Sequence, residues 1–464
     1  MLELKVKDII EICNGELLLG DEDVILQNFK KDTREIENGD TYVGIKGDNF
    51  NGSDFFEKAF EAGAKACIVQ DIQINGNVLE EYKDKVIIKV KDSIEALQKI
   101  AIFKREGYDI PVIGITGSVG KTSTKDIIAS VMSKKYKTVK TEGNYNNHIG
   151  VPLTILKLKD HTAAVIEMGM NHLGEISKLT KIAKPTMSVI TNVGTSHIGE
   201  LGSRENILKA KLEILEGMKN DAPLAINNDN DMLHNWYMVN QGKRKIITFG
   251  IQNESDIMAK NIVSSDEGSK FTVNIDGKDY DVEINVGGKH FIINSLCAIC
   301  VGLQNHIEIE KIIEGIKEFK LTKRRMEIRN GINNSKIIND SYNASYDSMK
   351  AAIEYLGEIN ANKKIAILGD MLELGSYEQE LHEKVGEEVY KNNIDFLVTV
   401  GERAKYIASK AKELGMNEDR IFIFDTKEEA MLKIESIIQE NDYVLVKASN
   451  SMKFDEIVNK ITKF

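Results

Sequence analysis

Proline and cysteine are scarce in this chain: each occurs four times in 464 residues. So few prolines exclude rigid proline-rich linkers, and no low-complexity stretch or internal repeat takes their place. No apolar run approaches the roughly 20 residues that a membrane-spanning helix needs. The start, Met1-Leu-Glu-Leu-Lys5, lacks a basic segment followed by an apolar core. A secretory leader is therefore not expected, and the chain is expected to be cytoplasmic. Positive charge is also in deficit: 61 Lys and Arg against 72 Asp and Glu leave a net charge of −11, which argues against a nucleic-acid partner. Cys13, Cys67, Cys297 and Cys300 are scattered. Cys297-Ala-Ile-Cys300 could be a redox or metal pair, but no second pair or histidine cluster completes a zinc site. The surrounding Ile292, Ile293, Leu296, Ile299 and Val301 favour a buried helix in which the cysteines are small apolar residues.

What is present is ordinary for a folded soluble protein, with 42% hydrophobic and 29% charged residues. The length suggests about three domains, each long enough to bury its own core. Residues 1–92 mix strands and helices, with strands at 43–45, 66–69 and 86–90 and a helix over 55–63 closed by Gly63. The segment 93–109 reads as a connecting helix capped by Asp92 or Ser93. From 93 to 319, strands at 163–166, 187–193 and 223–226 alternate with helices at 176–182 and 207–218. That alternation predicts a mainly parallel sheet covered by helices. Lys270 to Val286 reads as a hairpin turned by Asp276-Gly277. A further α/β unit over 320–464 has strands at 336–338, 365–368, 396–400, 421–424 and 443–446.

The most specific stretch is Gly114-Ile-Thr-Gly-Ser-Val-Gly-Lys-Thr-Ser123. An apolar strand candidate precedes it and an amphipathic helix pattern follows, the setting of a phosphate-binding loop. Gly117 and Gly120 permit a tight turn whose N–H groups, with those of Ser118, Val119 and Ser123, face an anion. Lys121 can reach the β- and γ-phosphates of a nucleotide, and Thr122 can ligate Mg²⁺. The general pattern wants glycine where Ile115 stands, so a plain glycine-rich turn is the bland alternative. Glu167 and His197 also follow strands, and functional groups of such sheets gather at strand carboxyl ends. Taken alone, Glu167 more commonly reads as a surface carboxylate and His197 as a structural histidine. Around Thr33, Arg34, Lys46 and Gly47, an arginine and backbone amides could hold a diphosphate, or could form solvated loops.

Further motifs resolve the pattern. Gly114 to Thr122 fits G-x-T-G-x-x-G-K-T, and Thr141-Glu-Gly-Asn-Tyr-Asn-Asn147 follows it. Then come Gly150-Val-Pro-Leu153, Glu167-Met-Gly169, Thr191-Asn-Val-Gly194 with His197, and Ala210-Lys-Leu-Glu-Ile214. The second half carries His290 with Asn294, Arg325-Met-Glu327, Asp340-Ser-Tyr-Asn-Ala344 and Gly369-Asp-Met-Leu-Glu-Leu-Gly375. Nearly end to end, the chain resembles the Mur ligase family. Several positions depart from the family pattern: Phe291 for asparagine, Ser345-Tyr346 for Asn-Pro, and Asn450 for arginine in Val446-Lys-Ala-Ser-Asn-Ser-Met452.

The resemblance implies an α/β protein of three domains: a small N-terminal α/β domain (1–92), a central P-loop ATP-binding domain (93–319) and a Rossmann-like C-terminal domain (320–464) that closes over both. It implies an ATP-dependent amide ligase of peptidoglycan precursor synthesis, working as a monomer. ATP would phosphorylate the terminal carboxylate of UDP-N-acetylmuramoyl-tripeptide, and the amine of D-alanyl-D-alanine would attack the acyl phosphate. A related ligase with another acceptor, and a regulator that hydrolyses ATP slowly, are the rival readings. On the family pattern, Thr122, Glu167, His197 and Lys211 would hold two Mg²⁺ ions, with a carbamate on Lys211. Lys121, Lys211 and His197 would be catalytic. Asn294, Arg325 and Asp340 would serve adenine, phosphate and ribose. Thr33, Arg34, Lys46, Gly47, Asn144, Asn146, Asn147 and Asn343 would meet the substrates. Without the family, Lys211 reads as a solvated helix lysine like Lys209.

Overall fold

A computed structural model describes residues 2–74 and 76–463. Three larger sheets organise them. The N-terminal sheet is five-stranded, in the order Glu16–Leu19, Val86–Lys89, Ala66–Val69, Thr41–Val43, Phe29–Lys30. Its first pair is antiparallel and the rest parallel. The central sheet has nine strands, ordered Lys278–Ile284, Ser269–Ile275, Ile257–Ser264, Ile246–Gly250, Leu224–Asn227, Met187–Ile190, Val112–Thr116, Ala163–Glu167, Thr138–Lys140. Its last seven strands pair in parallel, and the hairpin extends it antiparallel. The C-terminal sheet is six-stranded and parallel except for Glu327–Asn330 at its edge. Among the described residues, no helix is long and apolar enough to cross a membrane.

The central strands read as unbroken apolar runs because helices cover both faces. Val112–Thr116, Ala163–Glu167 and Met187–Ile190 are buried throughout. The chain order matters for the site. Val112–Thr116 lies between Ala163–Glu167 and Met187–Ile190, so the chain leaves this strand with one neighbour on each side. Such a reversal of strand order opens a crevice at the carboxyl ends. The cores of the sheets join into one continuous apolar cluster. Separate clusters line the outer face of the C-terminal sheet around Ile365 and Phe454, and the N-terminal sheet around Phe56 and Phe60.

Local sequence explains most boundaries. Asp92 caps Ser93–Glu106 by accepting from Ile94 N and Glu95 N at 2.8 and 2.9 Å. Gly63, at φ 110°, closes the turn after Phe56–Glu61. Other boundaries shift. The strand expected at 43–45 lies at Thr41–Val43, because Gly44 gives its carbonyl to the Ser53 and Ser93 hydroxyls and the chain turns away. The helix expected over 207–218 is Arg204–Leu212 followed by a tighter 3₁₀ turn, Glu213–Gly217. Gly217 there packs on the Thr180 backbone, where a Cβ would stand 2.1 Å from the carbonyl oxygen. The strand expected over 187–193 ends at Ile190. Three strands of the central sheet, Thr138–Lys140, Ile246–Gly250 and Ile257–Ser264, are additional to the expected set.

One buried cation fixes how the connecting helix meets the central sheet. Arg105 donates to the carbonyls of Tyr108 at 2.6 Å, Ala183 at 2.8 Å and Lys184 at 3.1 Å. It thereby ties the end of Ser93–Glu106 to the carboxyl end of Glu175–Ala183. Arg105→Ala leaves these carbonyls unpartnered and should destabilise the chain by about 3 kcal/mol. The exposed change Lys99→Ala should cost no more than about 0.5 kcal/mol. Urea midpoints of the two variants check this difference.

Candidate active site

The phosphate loop connects Val112–Thr116 to the helix Lys121–Met132. Gly117 (φ 155°) and Gly120 (φ 82°) both adopt backbone that disfavours side chains. A Cβ on Gly117 would stand 1.9 Å from Thr191 Oγ1. The segment after Met187–Ile190 grips the loop. Asn192 Oδ1 accepts from Ser118 N (3.1 Å) and Val119 N (2.9 Å), and its Nδ2 donates to the Val119 carbonyl at 2.9 Å. Thr191 Oγ1 donates to the same carbonyl at 2.8 Å, and Gly194 N donates to Ser118 Oγ at 2.9 Å. In this structure the N–H groups of Ser118 and Val119 are taken by Asn192. The first turn of the helix, Lys121 to Ser123, supplies the N–H groups without intrahelical acceptors. Lys121 Nζ donates to the carbonyls of Gly117 (2.8 Å) and Ser118 (3.3 Å). Burial lowers its pKa, opposed by Glu167 and assisted by Arg325.

Glu167 ends the strand on one side of the loop and is 2% exposed. Its Oε1 accepts from Asn146 Nδ2 at 2.8 Å, while Oε2 has no hydrogen-bond partner among the described residues. A buried carboxylate oxygen left bare needs a cation or another donor. Thr122 Oγ1 accepts from Arg325 NH2 at 3.3 Å. His197 stands on the other side of the loop. Burial, then Lys121 and Lys211, push its pKa down to about 4, so the imidazole is neutral at neutral pH. Its Nδ1 lies 2.9 Å from Glu373 Oε2, without the alignment of a hydrogen bond. Thr122, Glu167 and His197 all line one cleft. Among the described residues, no three His, Cys, Asp or Glu side chains form a ready-made metal cage. A hydroxyl, one bare carboxylate oxygen and a neutral imidazole suit a hard cation that brings waters and phosphate oxygens of its own, as Mg²⁺ does.

Lys211 contradicts the solvated reading. It is 2% exposed on the helix Arg204–Leu212, whereas Lys209 faces solvent. Burial, then the charge of Lys121, lowers its pKa well below the ordinary lysine value, favouring the neutral amine. Among the described residues its ammonium makes no hydrogen bond or ion pair. Lys211 is not itself on the cleft wall, but its charge is felt by His197.

The cleft has a volume of about 1130 Å³ and is lined by residues around the central and C-terminal sheets. Gly120, Lys121, Asn144, Asn146, Asn147, Asn294, Arg325, Asp340 and Asn343 all border it. The Arg325 guanidinium lies 3.9 Å over the Tyr342 ring. Asp340 accepts from Met326 N at 3.1 Å and is ion-paired with the buried Lys447, which also donates to the Asn343 carbonyl at 2.9 Å. Asn147 spends its side-chain oxygen on Ile149 N and Gly150 N, at 3.2 and 2.9 Å.

Four expected substrate residues do not border the cleft. Arg34 is held by Asp32 at 2.5 Å, and Lys46 by Asp71 at 2.9 Å. Gly47 N donates to the Phe50 carbonyl at 2.9 Å, and Thr33 opens a 3₁₀ turn. The anchoring roles of Asn192 and Lys447 do not emerge from sequence reasoning; both stand in motifs visible in the sequence, but their partners are distant in the chain. The cysteine pair is two free, buried thiols, with burial pushing both pKa values up.

Known proteins share this architecture. Residues 27–105 match the family described as "Mur ligase family, catalytic domain", 115–302 the "Mur ligase middle domain", and 324–450 the "Mur ligase, glutamate ligase domain". The UDP-N-acetylmuramoyl-tripeptide–D-alanyl-D-alanine ligase of Bacillus subtilis is 37% identical over 99% of both chains. The Escherichia coli ligase of the same name is 31% identical, again over 99% of both. The crystal structure of MurF from Acinetobacter baumannii superimposes with a TM-score of 0.87 at 27% identity, covering 99% of this chain and 98% of that one. The MurF ligase from Thermotoga maritima in complex with ADP gives a TM-score of 0.80 at 27% identity, covering 94% and 96%. The chain belongs to the Mur ligase family.

Proposed function

We propose that this protein joins D-alanyl-D-alanine to UDP-N-acetylmuramoyl-tripeptide at the expense of ATP, in peptidoglycan precursor synthesis in the cytoplasm. The observation that carries the reading is the single cleft in which the phosphate loop, the bare oxygen of Glu167 and Arg325, just before the C-terminal sheet's edge strand, meet. The relatives that align over nearly the whole chain carry the name of this reaction.

The chemistry begins with two anions. An oxygen of the tripeptide carboxylate attacks the γ-phosphorus and the bond to ADP breaks. The dipeptide amine then attacks the acyl carbon, loses a proton, and phosphate leaves. Mutual repulsion opposes the first step, so cations must be in position beforehand. Lys121 from the phosphate loop and Arg325 from the C-terminal half of the chain supply them. Both act where burial strengthens the interaction. Asn192 holds the loop so that Lys121 does not drift. Asn294 flanks Gly120 and would meet adenine, while Asp340, set by Lys447, would meet ribose. Asn144, Asn146 and Asn343 offer amides to the precursor and dipeptide. Thr33, Arg34, Lys46 and Gly47, in the turn and loop beside the N-terminal sheet, would take the UDP end.

Thr122, Glu167 and His197 would hold Mg²⁺, which when bound supplies charge neutralisation to the phosphoryl oxygens. Lys211 favours a neutral amine, the form that accepts CO₂, and a carbamate there would supply an anionic oxygen ligand. Domain limits at 92/93 and 319/320 fit this division of labour. A different dipeptide or amino-acid acceptor is the second reading, favoured by Asn450, which borders the cleft where the family pattern has arginine.

Mass spectrometry of the product formed from ATP, the UDP-tripeptide and D-alanyl-D-alanine tests the proposal. The amide-linked pentapeptide precursor is expected; its absence, with ADP formed, overturns the reading, and a panel of other amines separates the second. Lys121→Ala should lower phosphate release at least about a hundredfold with an unchanged circular dichroism spectrum. Lys211→Met keeps volume and removes a buried amine that has no hydrogen-bond partner among the described residues. Ligation should fall at least about a hundredfold, while the thermal midpoint holds or rises. In Lys211→Ala, a short carboxylic acid in the buffer should restore part of the rate. Near-normal turnover of either Lys211 variant refutes the metal-ligand role.

A further inference from the structure

One segment of the central domain touches both halves of the cleft. After Ile190 the chain leaves the sheet, and residues 191–194 grip the phosphate loop as described. One residue further on, the same segment binds the C-terminal domain. Thr195 donates to Asp347 Oδ2 through its backbone N–H at 2.6 Å and through its hydroxyl at 2.7 Å. Asp347 lies in the first turn of the helix Tyr346–Glu358, where the helix dipole favours a carboxylate. Gly194 is pressed against it: a Cβ there would stand 2.3 Å from Asp347 Oδ2. Arg204 adds a cation to this corner. Its NH2 donates to the Val193 carbonyl at 2.8 Å, it pairs with Asp231 at 2.6 Å, and it feels the charge of Asp347.

Other contacts cross the same boundary. Gly199 N donates to the Glu373 carbonyl at 3.2 Å, and Tyr377 Oη donates to the Gly202 carbonyl at 2.8 Å. These tie the domains further along the chain. The Asp347 contact is charged, and it is one residue from Gly194, whose N–H holds Ser118 of the phosphate loop. Asp347 itself does not border the cleft, so it touches no reacting atom.

We propose that Asp347 is a positioning residue for phosphoryl transfer. Bound to Thr195, its carboxylate seats the C-terminal domain on the segment that grips the phosphate loop. Arg325 of that domain is thereby brought to Thr122, and the loop and the guanidinium keep one register. A hydrogen-bonded carboxylate at this point links loop order to domain docking over a short covalent path. The inference rests on the proposed nucleotide-dependent ligation and adds a residue to it that contacts neither substrate nor nucleotide.

The test uses the full chain with Asp347→Ala, Asp347→Asn, Thr195→Val and the double variant Thr195→Val/Asp347→Ala. Loss of a charged hydrogen-bonded contact should lower kcat on the order of tenfold in Asp347→Ala. The KM for ATP should stay within about twofold, because Asn192 and Gly194 still hold the loop. Asp347→Asn keeps the shape and an acceptor and should recover part of the loss. The double variant should lose no more than Asp347→Ala alone, since the two changes remove one interaction. Amide hydrogen exchange gives a readout independent of turnover: the Thr195 N–H should be protected in the wild type and exchange faster in Asp347→Ala, with an unchanged thermal midpoint. Unchanged kcat, unchanged Thr195 exchange, multiplicative losses in the double variant, or a lowered thermal midpoint accounting for the loss would each overturn the role. Failure of the wild type to ligate defeats the functional reading instead, and the exchange result then decides the Thr195 contact by itself.

Discussion

Positive charge held out of water is the constraint around which the cleft is built. Lys121, half-buried, lies near enough to the buried Lys211 for its charge to be felt there, and Arg325 adds to the field at Lys121. Glu167 is the carboxylate that opposes this field at Lys121. Desolvated cations in this number cost stability unless anions arrive. A nucleotide triphosphate and a carboxylate are such anions, and the excess charge is aimed where the reaction concentrates negative charge. Burial, and after it this field, lowers the pKa of His197 and of Lys211, so an imidazole and an amine are kept neutral beside a cationic loop. Neutral forms are what a metal-holding histidine and a CO₂-accepting lysine require.

Geometry follows from strand order. Because Val112–Thr116 is flanked by Ala163–Glu167 and Met187–Ile190, the phosphate loop, Glu167 and the segment 191–197 emerge side by side. None of these groups is placed by a long excursion of the chain. The parallel sheet holds them, and the helices on its faces keep water out. The C-terminal sheet works in the same way: Asp340 follows Lys336–Asn339, Lys447 ends Tyr443–Lys447, and adjacent pairing brings them together. Two sheets thus present their carboxyl ends to one another across the cleft.

Much of this was legible in the sequence, for physical reasons that differ by element. Buried parallel strands are continuous apolar runs, and glycine spacing before a lysine and a hydroxyl gives the phosphate loop its outline. Ile257–Ser264 was harder to read: it is partly exposed, and its register shifts between Lys260 and Val263. Lys209 and Lys211 look alike in sequence, yet packing buries one and leaves the other in water. Periodicity could not separate them on so polar a helix; the family motif could. The pairs that stiffen the site lie beyond any local pattern: Lys447 and Asp340 are 107 positions apart, and Thr195 and Asp347 are 152 apart. Asn192 with Ser118 is a similar case, since an asparagine after a strand announces a turn and not a clamp on a distant loop. Thr33, Arg34, Lys46 and Gly47 read equally as diphosphate ligands or as solvated loops; in this structure Arg34 pairs with Asp32 and Lys46 with Asp71 at the surface.

The central claim is that the cleft activates a carboxylate by moving a phosphoryl group onto it. Isotopically labelled oxygen in the terminal carboxylate of the UDP-tripeptide follows that step directly. If the carboxylate attacks the γ-phosphorus and the amine later expels phosphate, one of the labelled oxygens leaves with the phosphate. Labelled inorganic phosphate, formed in step with the amide product, is the predicted result. Unlabelled phosphate accompanying amide formation would contradict the account, because the carboxylate oxygen would then never have been bonded to phosphorus.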